Sequence, residues 1–266
     1  MSHPDQASIR NSLLKALSAD DFALLAPHLE PVALSKGDTL VVPHQSITHV
    51  YFPETALGSV IATSPEGHRI EASMIGAEGM SGLAVVLATD RTPHQTVVQI
   101  EGAALRLSAA VLRTAMAQSP SLMALMLRFA KALYIQTTYT ALSNASHGVD
   151  ERLARGLLMC HDGGVGDEMA LTHEFLSIML AVRRPSVTTS LHVLEGMHLV
   201  RAYRGKVLIR DRAGLEDFAR DAYGLPEAEY ARLIGPMPKA AELALSARVH
   251  AANQKTIDAL EQGSGG

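Results

Sequence analysis

The spacing of hydrophobic residues changes from a strand pattern to a helical pattern near residue 119. Before that point, short β-rich runs alternate with turn signals such as Gly37-Asp38 and Pro65-Glu66-Gly67. The runs cover residues 40–42, 50–52, 59–63, 69–75, 97–100 and 105–107. Many short strands separated by closely spaced turns are typical of an antiparallel roll or barrel. We therefore predict a β-roll in the N-terminal part of the chain.

A long helix is predicted after the roll. Ser119 offers an N-cap oxygen, Pro120 presets a helical dihedral angle, and good helix formers continue to about Ser143. Apolar side chains recur at alternating spacings of four and three at Leu122, Met126, Phe129 and Leu133. This spacing is typical of a seam between helices, and the apolar face is wider than one roll could cover. We predict that these four residues form a homodimer interface; the alternative is a helix buried wholly within its own chain.

The segment His147-Gly148-Val149-Asp150 predicts the end of this helix and the start of another. Glycine suits a left-handed residue after a helix, and the Asp150 side chain can cap the helix that follows. We therefore place a domain boundary at residue 147.

Two helix-length apolar patterns, separated by about three residues, occupy residues 171–200. The first follows Thr172, a suitable N-cap, and buries Phe175, Leu176, Met179 and Leu180. The second buries Val187, Leu191 and Leu194. Because a helix turns once in 3.6 residues, its opposite face carries Pro185, Thr188, Thr189 and His192. The segment therefore predicts two amphipathic helices joined by a tight turn.

The second helix has the chemistry of a DNA-recognition helix. Arg183 and Arg184 stand at its N-terminal tip, where a guanidinium group can donate two hydrogen bonds to one guanine, and hydroxyl groups can contact phosphate. Residues 201–211 predict two strands around a turn at Gly205, which would lie along the phosphate backbone as a wing. We predict a helix-turn-helix with a wing in residues 171–212. Its DNA-binding residues are Arg183, Arg184, Ser186, Thr188, Thr189, His192, Arg204 and Lys206.

The distribution of charge supports this prediction. The formal net charge of the chain is −4, which would argue against a nucleic-acid partner if it were spread evenly. Residues 1–100 have a net charge of −5, whereas residues 183–212 have a net charge of +5. A local cationic excess of this kind is what binding to phosphates requires.

The remaining composition predicts a cytoplasmic location. Cys160 is the single cysteine, so an internal disulfide is excluded. The N-terminus has no basic run followed by an apolar block, as a secretory signal would. The longest apolar tract, residues 122–142, contains Arg128 and Lys131, which argues against a membrane span.

Residues 171–212 resemble the winged helix-turn-helix of the CRP/FNR superfamily of bacterial transcription regulators. The motifs Ser35-Lys36-Gly37-Asp38, Pro65-Glu66-Gly67-His68 and Ile75-Gly76-Ala77-Glu78-Gly79-Met80 also occur in the order found in that superfamily, and the resemblance covers about residues 20–225. It implies an α+β fold: a β-roll sensor domain similar to cyclic-nucleotide-binding domains, a long dimerisation helix and a winged helix-turn-helix. It further implies a homodimer that binds a pseudo-palindromic operator in double-stranded DNA and contacts RNA polymerase.

The resemblance also suggests domain bounds and residue roles. The sensor domain would comprise residues 1–118, the dimerisation helix 119–146, the DNA-binding domain 147–225 and a helical extension 226–266. Arg184 matches the superfamily's base-reading arginine, whereas Arg183 and Ser186 match positions that contact phosphate. Ala181 replaces a frequent turn glycine, so a left-handed residue there would carry roughly 1 kcal/mol of strain. Pro185 replaces an acidic residue that reads a base, so we expect a different operator sequence.

The sensor half departs from the superfamily's cyclic-nucleotide signature of a Gly-Glu pair and an Arg-Ser pair. The corresponding segments here are Gly76-Ala77-Glu78-Gly79 and Arg91-Thr92-Pro93-His94, in which both anchoring groups are displaced. We predict that standard cyclic AMP binding is lacking and that the effector is another molecule. We place the effector pocket near Glu78, Gly79, Met80, Ser81 and Arg91, and we predict no cofactor.

Two alternatives stay open. A cupin-like metalloenzyme would use the neighbouring His44, His49 and Glu54, although positions 44 and 54 would lie ~33 Å apart along one strand, which disfavours a metal site and catalysis. A haem-sensing regulator is the second alternative, since twelve histidines are available. Neither alternative is favoured over a non-enzymatic regulator without a metal.

Overall fold

The computed structural model describes residues 4–164 and 166–238. Within these residues the α-helices are α1 Ser12–Lys15, α2 Ala19–Leu25, α3 Leu83–Val86, α4 Ala109–Gln118, α5 Pro120–Ser146, α6 Val149–Asp162, α7 His173–Leu180, α8 Arg184–Gly196, α9 Arg212–Ala219 and α10 Leu225–Leu233. The strands are β1 Glu30–Leu34, β2 Thr39–Val41, β3 His49–Pro53, β4 Leu57–Thr63, β5 Arg69–Ile75, β6 Gln95–Ile100, β7 Gly102–Ser108, β8 Glu168–Met169, β9 Val200–Tyr203 and β10 Lys206–Ile209.

The N-terminal half is the predicted antiparallel β-roll. One sheet has the strand order β1-β7-β3 and the other β2-β6-β4-β5, and the pairs within them are antiparallel. Five of the six predicted runs lie within strands, and the run 40–42 extends one residue beyond β2. The prediction missed β1, in which only Leu34 is buried, because a strand that is exposed over most of its length has no apolar alternation to read.

Helix α5 covers the roll and extends to the second half of the chain. The Ser119 hydroxyl accepts a hydrogen bond from the Leu122 amide, as the cap prediction required. At 27 residues, α5 is ~40 Å long. Among the helices that the structure describes, none combines the length with the apolar character needed to cross a membrane.

The predicted dimer interface on α5 needs correction. The four residues chosen for it, Leu122, Met126, Phe129 and Leu133, are at most 8% exposed within a single chain. They pack into the core that the roll shares with α1, α2 and α4. The alternating spacing therefore describes contact with the chain's own core. The large apolar side chains that α5 leaves exposed are different ones, Leu127, Tyr134 and Leu142.

Helix α6 begins directly after α5. Its N-cap is Gly148, whose amide donates to the Glu151 carboxylate at 2.9 Å. Two details of the sequence prediction are thereby wrong. Gly148 has a φ of −64°, so it is extended rather than left-handed, and the capping carboxylate belongs to Glu151 instead of Asp150.

The C-terminal half packs directly against the roll. Its core, built from α6 to α9 and the sheet β8-β10-β9, includes Leu57, Met74 and Ile100 of the roll. The Ala77 amide donates to the Gly163 carbonyl at 3.1 Å. A Cβ atom on Gly76 would lie 2.6 Å from the Gly163 Cα atom, so this close approach of two backbones requires glycine.

Helix α10 packs against the N-terminal half. It packs on α5, and the Tyr230 hydroxyl donates to the Glu78 carbonyl at 2.5 Å. The sequence predicts a helical extension over residues 226–266. Helix α10 covers its first part, and residues 239–266 lie outside the described residues.

Candidate nucleic-acid interface

Helices α7 and α8 form the predicted helix-turn-helix. The Thr172 hydroxyl accepts from the Phe175 amide at 3.2 Å and caps α7. Three residues separate α7 from α8. The apolar residues predicted to be buried on both helices are all at most 6% exposed. The local pattern of caps and 3.6-residue spacing was therefore sufficient to place this motif.

The turn between the helices contains a strained residue. Ala181 has φ 50° and ψ 43°, the left-handed conformation predicted from its place in the motif. Its amide donates to the carbonyl groups of Ile178 and Ser177 and so closes the C-terminus of α7. A residue with a Cβ atom is disfavoured in this conformation by roughly 1 kcal/mol, and glycine is not.

Ala181→Gly is therefore expected to raise the free energy of unfolding, by about 1 kcal/mol, because it relieves this strain. The measurement is urea denaturation followed by circular dichroism. Ala231→Gly, at an exposed position inside α10, is the matched control and should lower stability by about 0.5–1 kcal/mol. A loss of stability in Ala181→Gly comparable to that of the control would contradict the assigned strain.

The outward face of α8 is polar and accessible. Pro185, Thr189 and His192 are exposed, whereas Ser186 and Thr188 are half-buried. The Thr188 hydroxyl lies 3.2 Å from His173 Nδ1 on α7, and the Thr189 hydroxyl donates to the Pro185 carbonyl at 3.1 Å. These hydroxyl groups keep lone pairs available as acceptors.

The N-terminal tip of α8 presents two arginines. Arg183 is the N-cap residue and Arg184 is the first helical residue, and both are exposed. The Arg184 guanidinium lies 3.0 Å from the Glu174 carboxylate, with both side chains more than 60% exposed. An ion pair as exposed as this contributes only about 0–1 kcal/mol to stability. A partner that accepts two hydrogen bonds from the Arg184 guanidinium could therefore replace Glu174.

The predicted wing is the hairpin β9–β10. Gly205 in its turn has a φ of 76°, which favours glycine. Arg204 and Lys206 are exposed on either side of this turn. Lys206 Nζ lies 2.5 Å from Glu168 on β8, a strand that the sequence prediction missed because it has two residues, and the hydrogen bond to Glu168 raises the pKa of Lys206.

One cation of the basic segment is not part of this surface. Arg212 donates to the buried Asp162 carboxylate at 2.8 Å and to the Tyr223 hydroxyl at 2.7 Å, and its side chain is 18% exposed. Sequence counting included Arg212 in the excess charge, but its position makes it a structural link between α6 and α9. Together the wing and the tip of α8 still form a cationic surface.

The N-terminal half contains a cavity of about 650 Å³ between the roll and α5. Of the five residues predicted for the effector pocket, Arg91 lines this cavity, and Glu78, Gly79, Met80 and Ser81 are buried elsewhere. The Gly79 carbonyl accepts from the Asn11 amide, and the Ser81 hydroxyl accepts from the Tyr51 amide. The predicted pocket and this cavity therefore share only Arg91.

Residues considered for a metal site do not converge. The Glu54 carboxylate accepts from the Arg10 and Asn11 amides at the N-terminus of α1, while His44 lies in a loop and His49 on β3. In the described ranges, no three His, Cys, Asp or Glu side chains form a group suited to a metal ion.

Comparison with known proteins supports both the helix-turn-helix and the overall fold. Residues 151–218 match the Crp-like helix-turn-helix domain. No curated protein matches the chain. A CRP/FNR-family transcriptional regulator from Eubacterium rectale has a similar structure, with a TM-score of 0.60 and 18% identity over 78% of this chain and 97% of that one. FixK2 from Bradyrhizobium japonicum has a TM-score of 0.59 and 14% identity over 72% of this chain and 98% of its own.

A CRP-family transcriptional regulator from Thermus thermophilus also has a similar structure, with a TM-score of 0.59 and 18% identity over 71% of this chain and 96% of that one. The predicted resemblance is thereby confirmed for the helix-turn-helix domain, residues 151–218, and the similar structures confirm the predicted fold class. The solved structures share the fold across both halves, and the matched domain covers the helix-turn-helix.

Proposed function

We propose that this chain, whose residues 151–218 belong to the Crp-like helix-turn-helix domain, is a homodimeric transcription regulator that binds a pseudo-palindromic DNA operator. The observation that carries the proposal is the solvent-facing tip of α8, where Arg183 and Arg184 stand beside a cationic wing. Recognition helices of this type enter the major groove with their N-terminal residues against the bases. No catalytic role is proposed.

The contacts proposed for DNA divide into two classes. Arg184 reads a base, and the neighbouring Thr188, Thr189 and His192 on α8 face the same groove. Arg183, Ser186, Arg204 and Lys206 contact phosphate groups. Base contacts carry sequence preference, while phosphate contacts supply affinity that does not depend on sequence.

The homodimer is proposed to form through the exposed face of α5. Leu127 is 47% exposed, Tyr134 62% and Leu142 51%, which is unusual for large apolar side chains on one helix. Leu127, Lys131, Tyr134, Thr138 and Ala141 follow alternating spacings of four and three. That spacing is typical of two helices packed side by side. Two chains would then present two copies of α8 about one DNA turn, ~34 Å, apart.

The cavity is proposed as the effector site, with an effector other than cyclic AMP. The Arg91 guanidinium donates to the adjacent Asp90 carboxylate at 3.0 and 3.1 Å, so an anionic ligand would share this guanidinium with Asp90. The Glu78 carboxylate lies away from the cavity, where it accepts from the Gly76 amide at 2.8 Å.

Contact with RNA polymerase and a cytoplasmic location stay predictions.

The test of the proposed function compares two variants. Arg184→Ala should lose its preference for the operator over random DNA by about 1–3 kcal/mol, because one bidentate base contact is removed. Lys206→Ala should weaken binding to both DNAs equally and reduce its salt dependence. Fluorescence anisotropy with both duplexes, at several salt concentrations, gives both quantities.

Glu174→Gln is the control for the ion pair of Arg184. It removes the carboxylate that Arg184 contacts in the free protein, so operator affinity should stay the same or rise slightly. An unchanged ratio of operator to random binding in Arg184→Ala would show that Arg184 does not read a base.

A further inference from the structure

The cavity in the sensor half is apolar over most of its wall. Its volume of about 650 Å³ is in the range of roughly 300–1,000 Å³ that is usual for small-molecule sites. Aliphatic side chains from β2, β4, β5, α3 and α5 form part of this wall: Val41, Val60, Ile75, Leu83 and Leu133. Such a wall favours an apolar ligand body, since it removes apolar surface from water.

Two cations stand on different elements of the same cavity. Arg91 lies in the loop after α3, and Lys131 lies on α5, one turn before Tyr134. Lys131 Nζ is 5.5 Å from the centre of the Tyr134 ring. Glu229 on α10 acts on Lys131 through its charge, but its carboxylate hydrogen-bonds to Arg232.

The lining of the cavity is unbalanced in charge. Among the described lining residues there is no aspartate or glutamate, although Asp90 stands directly before Arg91. A cationic ligand would therefore meet two like charges, and the nearby Asp90 carboxylate is already hydrogen-bonded to Arg91.

We propose that the cavity binds an amphipathic monocarboxylate, a molecule with an apolar body and a single carboxylate head. The body lies in the aliphatic part, and the head lies between Lys131 and Arg91. A hydrogen bond between a charged donor and a carboxylate is about twice as strong as one between neutral groups, so the head fixes orientation and selectivity. This inference rests on the proposed function, because it specifies the ligand of the effector site.

The position of the cavity connects it to the proposed dimer face. Leu127, Lys131 and Tyr134 line the cavity and also lie on the exposed face of α5. A bound carboxylate that draws Lys131 toward the cavity would change the surface offered to the second chain. We therefore expect the ligand to alter the dimerisation equilibrium, and through it the affinity for a two-half-site operator.

The experiment uses calorimetric titration of the full chain with decanoate as the probe. Decan-1-ol tests the apolar body without charge, and decyltrimethylammonium tests the opposite charge. We expect decanoate to bind at least about tenfold more tightly than decan-1-ol, as loss of a charge-assisted contact implies, and the cation not to bind.

Variants locate the site and its head group. Lys131→Met and Arg91→Gln should each weaken decanoate binding about fivefold or more and leave decan-1-ol binding unchanged. Ala72→Leu adds volume to the wall and should abolish binding of both. Arg113→Gln, an exposed arginine on α4 that does not line the cavity, is the matched control. Thermal unfolding of each variant confirms that it is folded.

Three results would overturn the inference: no binding of decanoate, equal affinity for decanoate and decan-1-ol, or unchanged decanoate affinity in both Lys131→Met and Arg91→Gln. The DNA-binding assay with Arg184→Ala is independent of these titrations. If operator preference depends on Arg184 while decanoate does not bind, the proposed regulator function stands and only the ligand class is wrong.

Discussion

A double substitution of Leu127→Glu and Tyr134→Glu is expected to convert the protein to monomers. Both side chains are exposed on α5, so two carboxylates can be accommodated in the isolated chain, whereas in a dimer they would face apolar groups and like charges. Sedimentation velocity measures the mass. Affinity for an operator with two half-sites should fall about 100-fold or more, because simultaneous binding of two recognition helices is lost.

Two controls separate this effect from unfolding. Arg113→Glu places a carboxylate on the exposed surface of α4 and should leave the dimer intact. Phe129→Glu puts a charge into the core, where Phe129 is 2% exposed, and should unfold the chain instead of producing folded monomers. Folded monomers from Phe129→Glu, or a stable dimer of the Leu127→Glu, Tyr134→Glu variant, would contradict the assignment of the two faces of α5.

The second large effect is expected in the dependence of the free energy of unfolding on pH. Glu71 on β5 is 4% exposed, accepts a hydrogen bond from the Ser59 hydroxyl and lies near Arg155 of α6. Burial raises the pKa of Glu71 to about 8, in spite of the opposing effects of Ser59 and Arg155. A carboxyl group whose pKa is raised on folding stabilises the protein below its unfolded pKa, and that stabilisation is lost as pH rises through the folded pKa.

The free energy of unfolding should therefore fall as pH rises from about 5 to 8.5, by on the order of 3 kcal/mol for this group. Burial also raises the pKa of Glu78 to about 7 and that of Asp162 to about 6, so both add to the fall in stability. Glu71→Gln should remove a large part of this fall and make the protein more stable than wild type at about pH 8.5. Urea denaturation at several pH values provides the measurement.

Glu66→Gln is the matched control, because Glu66 is 85% exposed in its side chain and its substitution should not change the pH profile. If Glu71→Gln and wild type lost stability in parallel between about pH 5 and 8.5, Glu71 would not be the group that titrates.

The helix-turn-helix could be predicted in detail from the sequence because its determinants are local. The Thr172 cap, the spacing of Val187, Leu191 and Leu194, and the left-handed Ala181 each depend on residues within one or two helical turns. Backbone hydrogen bonds and amphipathic burial at this range are visible in the order of residues alone.

The features that depend on distant contacts could not be predicted in the same way. Helix α5 has one apolar face through Phe129 and another through Tyr134, and periodicity does not reveal which of them meets the roll. Likewise, Arg212 is sequestered by Asp162, about fifty positions earlier. A count of charges in residues 183–212 cannot show that this cation is unavailable to DNA. The burial of the segment around Glu78 was also not foreseen, because it depends on α10, far along the chain.

The central claim, that the chain recognises a specific DNA sequence as a dimer, is tested most directly by selecting bound duplexes from a random pool and sequencing them. We expect a pseudo-palindrome with two half-sites about 10 base pairs apart, centre to centre, or a multiple of that spacing. Arg184→Ala should lose the enrichment of particular bases within each half-site. Recovery of duplexes with no common sequence, or of a single unpaired site by a wild-type monomer, would contradict the proposal.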